Sequence, residues 1–505
     1  MKQFLTLLLA AVMLIPCAFA DEAPAASGVT YEIFVGSFRD SNGDGVGDLQ
    51  GIIDALDYID SLGVDRIWLT PVHPSISYHK YDVLDYYDID PQFGTLADFD
   101  ALVAACDARG IAVTLDLVVN HSSSEHPWFL AACEALRTGA DSPYVDWYNF
   151  TEGEGQHIVN GTNWYYEGQF GYHMPDINLD HEAVRAEIAN IIAFWQDHGV
   201  KGFRLDAVTS YYTGAPDSIT DFLRFVSETA HAGDSDCWVV GEAWTSESDI
   251  LTYYQSGIDS LFCFPGADST GRIVKAALNA NGASLASAFA DWNARLHEVS
   301  PASQDAPFIT NHDMARARGM LRSKVDNQKI AAMLYLLLPG RPVLYYGEEL
   351  GMSGSGIDEN KRLPMLWSGA DASAQCNPPA AADQPQRLKE GVAEQDDDPA
   401  SLLNWYRQVI ALRNLAPALA RGTMTALDAG NKAVAFYRVD GGDQAVAVLV
   451  NSSASETFSV NVETLSNAKM IGFCGFEDAS LLQEMEECVT MVTLPPVSCV
   501  LLAVN

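Results

Sequence analysis

Positive charge is what this sequence has least of. Its 29 lysines and arginines stand against 67 aspartates and glutamates over 505 residues, a formal net charge of −38. Such a surface repels phosphate backbones and anionic lipid, which excludes nucleic acid and acidic membrane as partners and leaves a neutral substrate. Tolerance of salt or acid is a second implication of the same charge. Long apolar runs are also scarce. The one near the start, Phe4–Ile15, follows Lys2 and precedes Ala18-Phe19-Ala20, the pattern of an export signal (residues 1–20) cleaved near Ala20. It is too short to anchor the chain, and no other stretch approaches membrane length. The mature protein is therefore expected to be secreted. Eight cysteines remain after cleavage, with no C-x-x-C spacing of a metal or redox site. Export permits disulfides, and one or two bridges are expected within the last hundred residues.

What the chain has in quantity is apolar residues, at 48% enough for a large core. Short apolar runs near Tyr31–Phe38, Arg66–Thr70, Ala112–Val119, Gly202–Asp206, Trp238–Glu242, Ser260–Phe264, Phe308–Thr310 and Val343–Tyr346 read as strands. Segments such as Leu96–Arg109, His181–His198, Asp217–His231 and Asn327–Leu338 carry apolar residues at three- and four-residue spacing and read as helices. Eight strand–helix units imply an α/β fold, a closed (β/α)8 TIM barrel. The barrel is placed at residues 29–121 and 181–418. Residues 122–180, long and rich in aromatics, glycine and asparagine, read as a subdomain inserted after the third strand, over the barrel mouth. Beyond the helix Leu402–Arg413, alternating strands predict a C-terminal antiparallel β-sandwich over 419–505.

In such a barrel, chemistry gathers at the C-terminal ends of strands. Three acids fall there: Asp206 after Gly202-Phe203-Arg204-Leu205, Glu242 after Val240-Gly241, and Asp313 in Asn311-His312-Asp313. Arg204 and Asp206 are two apart, so a strand points both the same way. Like carboxylates crowded together leave one protonated beside an ionised partner, the division of labour that glycoside cleavage needs. Separately, Asp40-Ser-Asn42-Gly-Asp44-Gly-Val46-Gly-Asp48 alternates oxygen-bearing side chains with glycine, the first nine positions of a calcium loop. Gly51 stands where an EF-hand needs glutamate. The turn still offers calcium the Asp40, Asn42, Asp44 and Asp48 side chains and the Val46 carbonyl.

As a set, Asp116…Asn120-His121, Gly202-Phe203-Arg204-Leu205-Asp206, Glu242 and Asn311-His312-Asp313 resemble the α-amylase family, glycoside hydrolase family thirteen. Trp68-Leu69-Thr70-Pro71, Met174-Pro175-Asp176-Ile177-Asn178 and Arg362-Leu363-Pro364 agree. The resemblance implies a retaining mechanism. Asp206 would be the nucleophile, Glu242 the acid/base, and Asp313 a group that binds and distorts the sugar. Tyr81, Asp82, His121, Arg204 and His312 would be substrate contacts. It implies calcium as cofactor, starch or maltooligosaccharides as substrate, and a monomer. The Met174–Asn178 stretch is intermediate between α-amylases and the oligo-1,6-glucosidase branch. Ala207, where that branch often has valine, leans toward α-1,4 bonds. Thr209-Ser210 replace the Lys-His pair of many α-amylases. An exo-acting α-glucosidase or oligo-1,6-glucosidase, a transglycosylase and a non-catalytic carbohydrate-binding protein are the alternatives.

Overall fold

The structure, a computed structural model, describes residues 28–465, 467–475 and 488–504. The expected export signal lies outside them. In chain order the part before the C-terminal domain carries β1 (Thr30–Ile33), β2 (Arg66–Leu69), β3 (Ala112–Leu117), β4 (Phe150–Glu152), β5 (His157–Ile158), β6 (Trp164–Tyr166), β7 (Gly202–Leu205), β8 (Trp238–Gly241), β9 (Ser260–Leu261) and β10 (Val343–Tyr345). Seven of them form one parallel sheet in the order β10-β1-β2-β3-β7-β8-β9. Their residues are buried almost throughout, which is why they read as continuous apolar runs rather than alternating ones. Register then does the positioning. Asp116 on β3 pairs with Arg204 on β7, and Arg204 with Val240 on β8.

Between β9 and β10 the sequence led us to expect a strand at Phe308–Thr310. Instead, Ala306 makes a single parallel bridge to Phe262, and Val343 N–H donates to Pro307 O at 2.9 Å. This segment closes the barrel without forming a regular strand. Pro307 is the reason, because it has no N–H to give to a ladder and restricts the residue before it. Phe308 and Ile309 are nonetheless fully buried, so apolar packing reinforces the few backbone hydrogen bonds that close the seam, among them Ala306 N–H to Leu261 O at 3.1 Å and Cys263 N–H to Ala306 O at 3.0 Å.

The helices over Leu96–Asp107, Glu182–Asp197, Pro216–Gly233 and Val325–Leu336 fall near the periodic segments. Thr95 starts the first of them with a reciprocal cap: its hydroxyl accepts Asp98 N–H while Asp98 accepts Thr95 N–H. Two helices between β9 and the seam, Arg272–Asn279 and Gly282–Val299, were not read from the sequence. The second begins against the C-terminal domain, where a Cβ on Gly282 would lie 2.5 Å from Ala435 N. Only glycine allows that approach.

Between β3 and β7 the chain builds a small three-stranded antiparallel sheet, β4-β6-β5, with the helix Pro127–Thr138 beside it. Bridges His121–Asp176 and Tyr148–Ile177 tie this insert to the barrel rim. The C-terminal domain contains β11 (Thr423–Ala426), β12 (Val434–Asp440), β13 (Ala445–Asn451), β14 (Phe458–Asn461), β15 (Lys469–Cys474), β16 (Met491–Leu494) and β17 (Ser498–Val504). Five form an antiparallel sheet, β11-β12-β13-β17-β15, packed against the pair β14–β16 over Val434, Phe436, Leu449, Val460, Leu494 and Leu502. Its other face meets the barrel, where Tyr437 donates to Leu337 O at 2.9 Å. The fold is a (β/α)8 barrel with a C-terminal β domain.

The expected disulfides are a correction: the eight described cysteines are all free thiols. Cys474 and Cys499 come opposite each other on β15 and β17, and both are buried. In these strands they serve as small apolar residues.

Candidate active site

One buried guanidinium organises the barrel mouth. Arg204, fully buried at the end of β7, donates from Nη1 to Asp206 Oδ1 at 2.7 Å and to Asp116 Oδ1 at 2.8 Å. Its Nη2 lies 2.8 Å from Glu242 Oε2, an ion-pair separation, though off the direction a hydrogen bond requires. A planar fork therefore holds Asp206 and Glu242 side by side. Directly after Asp206, Ala207 takes a left-handed conformation (φ 49°) that costs a residue with a Cβ about 1 kcal/mol. The strained turn ends the strand, and its N–H donates to Glu242 Oε2 at 3.2 Å.

The third acid is held from the opposite side. Asp313 accepts from Arg362 Nη2 at 2.6 Å and lies 3.1 Å from His312 Nε2. His312 in turn has its Nδ1 2.6 Å from Glu32 Oε1 on β1. Arg362 also donates to His312 O and to Tyr78 Oη. Sequence reasoning gave no role to Glu32, Tyr78, Asp116 or Arg362. Glu32 was visible as a lone charge in an apolar strand, and Arg362 opened a motif already noted.

These contacts separate the acids electrostatically. Burial pushes Glu242 up to about 7, with the nearby charges of Asp206 and Asp313 adding to the rise and Arg204 opposing it. Burial likewise lifts Asp116 to about 6 against Arg204. Asp313 goes the other way. Burial disfavours its charge, but His312 and Arg362 outweigh that and hold it well below the usual carboxylate range. His312 rises to about 10: burial opposes its charge, and Asp313 and Glu32 overcome the opposition. The arrangement is thus a protonatable carboxyl beside a firmly ionised one, with 31% of the Asp313 side chain open to solvent.

Tyr81 joins the two halves. Its hydroxyl donates to Asp116 Oδ2 at 3.0 Å and lies 2.6 Å from His312 Nε2. His121 is buried after β3 with its Nε2 unpartnered, and burial lowers its proton affinity. That leaves a neutral ring with one nitrogen free for a ligand. Phe170 of the insert, 46% exposed, sits 5.2 Å from the His121 ring and brings an aromatic surface to the same side. Asp82 behaves differently. Its Oδ1 accepts from Ser75 Oγ at 2.5 Å and from Ser77 Oγ, so it fastens the loop after β2 instead of joining the Arg204 cluster.

The glycine-rich loop folds on itself. Asp40 accepts N–H groups from Asn42, Gly43 and Gly45, Asp44 accepts from Val46 N, and Asp48 accepts from Ser41 Oγ and Gly51 N. A Cβ on Gly45 would lie 1.8 Å from Asn377 Nδ2, so the segment around Asn377 is packed onto this loop. Among the described residues, no three His, Cys, Asp or Glu side chains converge enough to hold an ion alone. The donor set is all hard oxygen and so fits calcium chemically, provided the Asn42 amide and Val46 carbonyl complete it.

Residues 32–422 match the model of the α-amylase catalytic domain. The chain belongs to the α-amylase family. It is 36% identical to alpha-amylase 3 of Dictyoglomus thermophilum over 447 residues, 86% of this chain and 87% of that one. Glucan 1,6-alpha-glucosidase of Streptococcus pneumoniae is 30% identical, covering 85% of this chain and 91% of the other. Among solved structures, Eubacterium rectale Amy13B superposes with a TM-score of 0.87 at 39% identity, covering 95% of each chain. As a member of the α-amylase family this chain is a glycoside hydrolase. No described helix is long and apolar enough to cross a membrane.

Proposed function

We propose that this protein is a secreted, retaining hydrolase of α-1,4-glucosidic bonds in starch, glycogen and maltooligosaccharides, acting as an α-amylase. The observation that carries the reading is the Arg204 fork, which brings Asp206 and Glu242 to the same guanidinium. Asp206 attacks the anomeric carbon while Glu242, protonated because burial raises its pKa, gives its proton to the departing oxygen. The glycosyl ester on Asp206 then yields to water, from which Glu242, now ionised, takes the proton. Asp313, kept anionic, binds sugar hydroxyls and favours the positive charge that develops on the ring. Tyr81, His121, Arg204 and His312 contact or orient the same sugar, while Asp82 contributes by shaping the loop that carries Tyr81. When bound, calcium would neutralise the Asp40–Asp48 loop, using Asp40, Asn42, Asp44, the Val46 carbonyl and Asp48. The protein acts as a monomer, and sequencing the mature N-terminus tests cleavage near Ala20.

Products decide the specificity. Mixed maltooligosaccharides from soluble starch, with no cleavage of isomaltose, are expected in a chromatogram. Glucose alone, or rapid isomaltose hydrolysis, would replace this reading with an exo-acting α-glucosidase or an oligo-1,6-glucosidase. That second reading draws on the similarity to a glucan 1,6-alpha-glucosidase over most of both chains.

A further inference from the structure

A cleft of about 1070 Å³ has none of Asp206, Glu242 or Asp313 in its lining. Its walls come from three stretches: Ala315–Val325, Leu350–Ser355 and Gln384–Leu402. Four cations line it, Arg316, Arg318, Arg387 and Lys389, against two carboxylates, Glu390 and Asp398. In a chain with more than two acids for each base, that local balance is reversed. Among the described residues, no carboxylate or other side chain pairs with the charged groups of Arg318, Arg387 or Lys389.

The floor of the cleft repeats the pattern. Arg316 is 2% exposed, yet its contacts are neutral: Nε donates to Lys361 O at 2.9 Å, Nη1 to Tyr346 O at 2.6 Å, and the guanidinium lies over the Tyr345 and Tyr346 rings. Its Nη2 is buried with no partner. Gln328, fully buried behind Gly351, also has both amide atoms unpartnered. A buried cation with no counter-charge is costly, and an anion in the cleft would reduce that cost.

The lining also says which anion. It contains no aromatic side chain, so a glucan chain would find no ring to stack on. Guanidinium groups with hydroxyls beside them, here Ser323, Ser353 and Ser355, match the tetrahedral oxygens of a phosphoryl group. The volume exceeds what a bare phosphate needs and suits a small organic molecule. We infer that this cleft binds a small organic phosphate, with its phosphoryl group held by Arg318, Arg387 and Lys389 over the Arg316 floor.

Calorimetric titration of the full chain with glucose 6-phosphate, inorganic phosphate and maltose tests this. Glucose 6-phosphate is expected to bind more tightly than inorganic phosphate, and maltose not to bind in this cleft. The Arg318→Ala/Arg387→Ala variant should weaken glucose 6-phosphate binding about tenfold or more, while starch hydrolysis stays within about twofold. Retained hydrolysis shows that the variant is folded, and the single variant Lys389→Ala, on an exposed side chain, gives a second reading if the double variant is not. No glucose 6-phosphate binding at about 10 mM, unchanged binding by the folded variants, or equal affinity for inorganic phosphate would each overturn the assignment. So would maltose competing for the same residues.

Discussion

Arg204→Gln is the most informative single change. It removes the one cation in contact with Asp116, Asp206 and Glu242 while keeping a polar side chain of similar length. Two unit charges about 4 Å apart at an effective dielectric near 20 interact by about 4 kcal/mol, equivalent to about three pKa units. Water entry and repulsion among the remaining carboxylates share that change, so we expect about one to two units at Glu242. The sign is fixed. Arg204 holds the Glu242 pKa down from where burial would put it, near 7, so its loss raises that pKa. Glu242 must be protonated to act as an acid, and the alkaline limb of kcat/KM should therefore move up from about pH 7 toward 8 or 9. The rate at the optimum should fall about 100- to 1000-fold, because Asp206 loses the group that aims it. Leaving buried carboxylates without their cation should cost about 3–5 kcal/mol, lowering Tm by about 3–5 °C in calorimetry for a chain of this length. An alkaline limb that stays in place or moves down, with activity near the parent value, would refute the electrostatic argument.

The other expectations follow from neighbouring contacts. Glu242→Gln should reduce kcat by about three orders of magnitude or more while maltooligosaccharide binding, read by calorimetry, survives; normal hydrolysis would reassign the acid. Arg362→Ala releases Asp313, whose pKa should rise, moving the acidic limb of the rate profile to higher pH; an unmoved limb would mean that His312 alone suffices. Chelation should lower Tm by several degrees, reversed by calcium, and Asp40→Ala should abolish the response. A Tm blind to chelator would remove the metal from the Asp40–Asp48 loop.

Much of this architecture was legible because a parallel barrel buries both faces of its strands. Leu115-Asp116 and Phe203-Arg204-Leu205 stand out as apolar runs broken by charge, and charge at a strand end in a barrel is seldom idle. The acids followed from those positions. Their partners did not. Glu32 meets His312 across 280 residues and Arg362 meets Asp313 across 49, distances no local pattern encodes. The partners of Asp82 were equally unreadable: Ser75 and Ser77 hold its Oδ1 in the loop after β2, and Oδ2 is left without a partner. The helices Arg272–Asn279 and Gly282–Val299 were missed where a glycine, normally a helix breaker, is demanded by the neighbouring sheet. At Phe308–Thr310 the apolar run was readable as a strand, but Pro307 beside it removes a ladder donor, so the burial is there without a regular strand.

That proline has a consequence for Asp313. Five of the other strands are paired by a backbone ladder on both sides, whereas Asn311–Asp313 follows a segment with a single bridge. Side chains take over the anchoring: Glu32 clasps His312, and Arg362 clasps Asp313. Ionic moorings answer to protons as peptide ladders do not. At this corner of the barrel, hold and proton count are therefore linked: His312 carries the charge that Glu32 and Asp313 grip, and discharging it in alkali is expected to weaken both contacts.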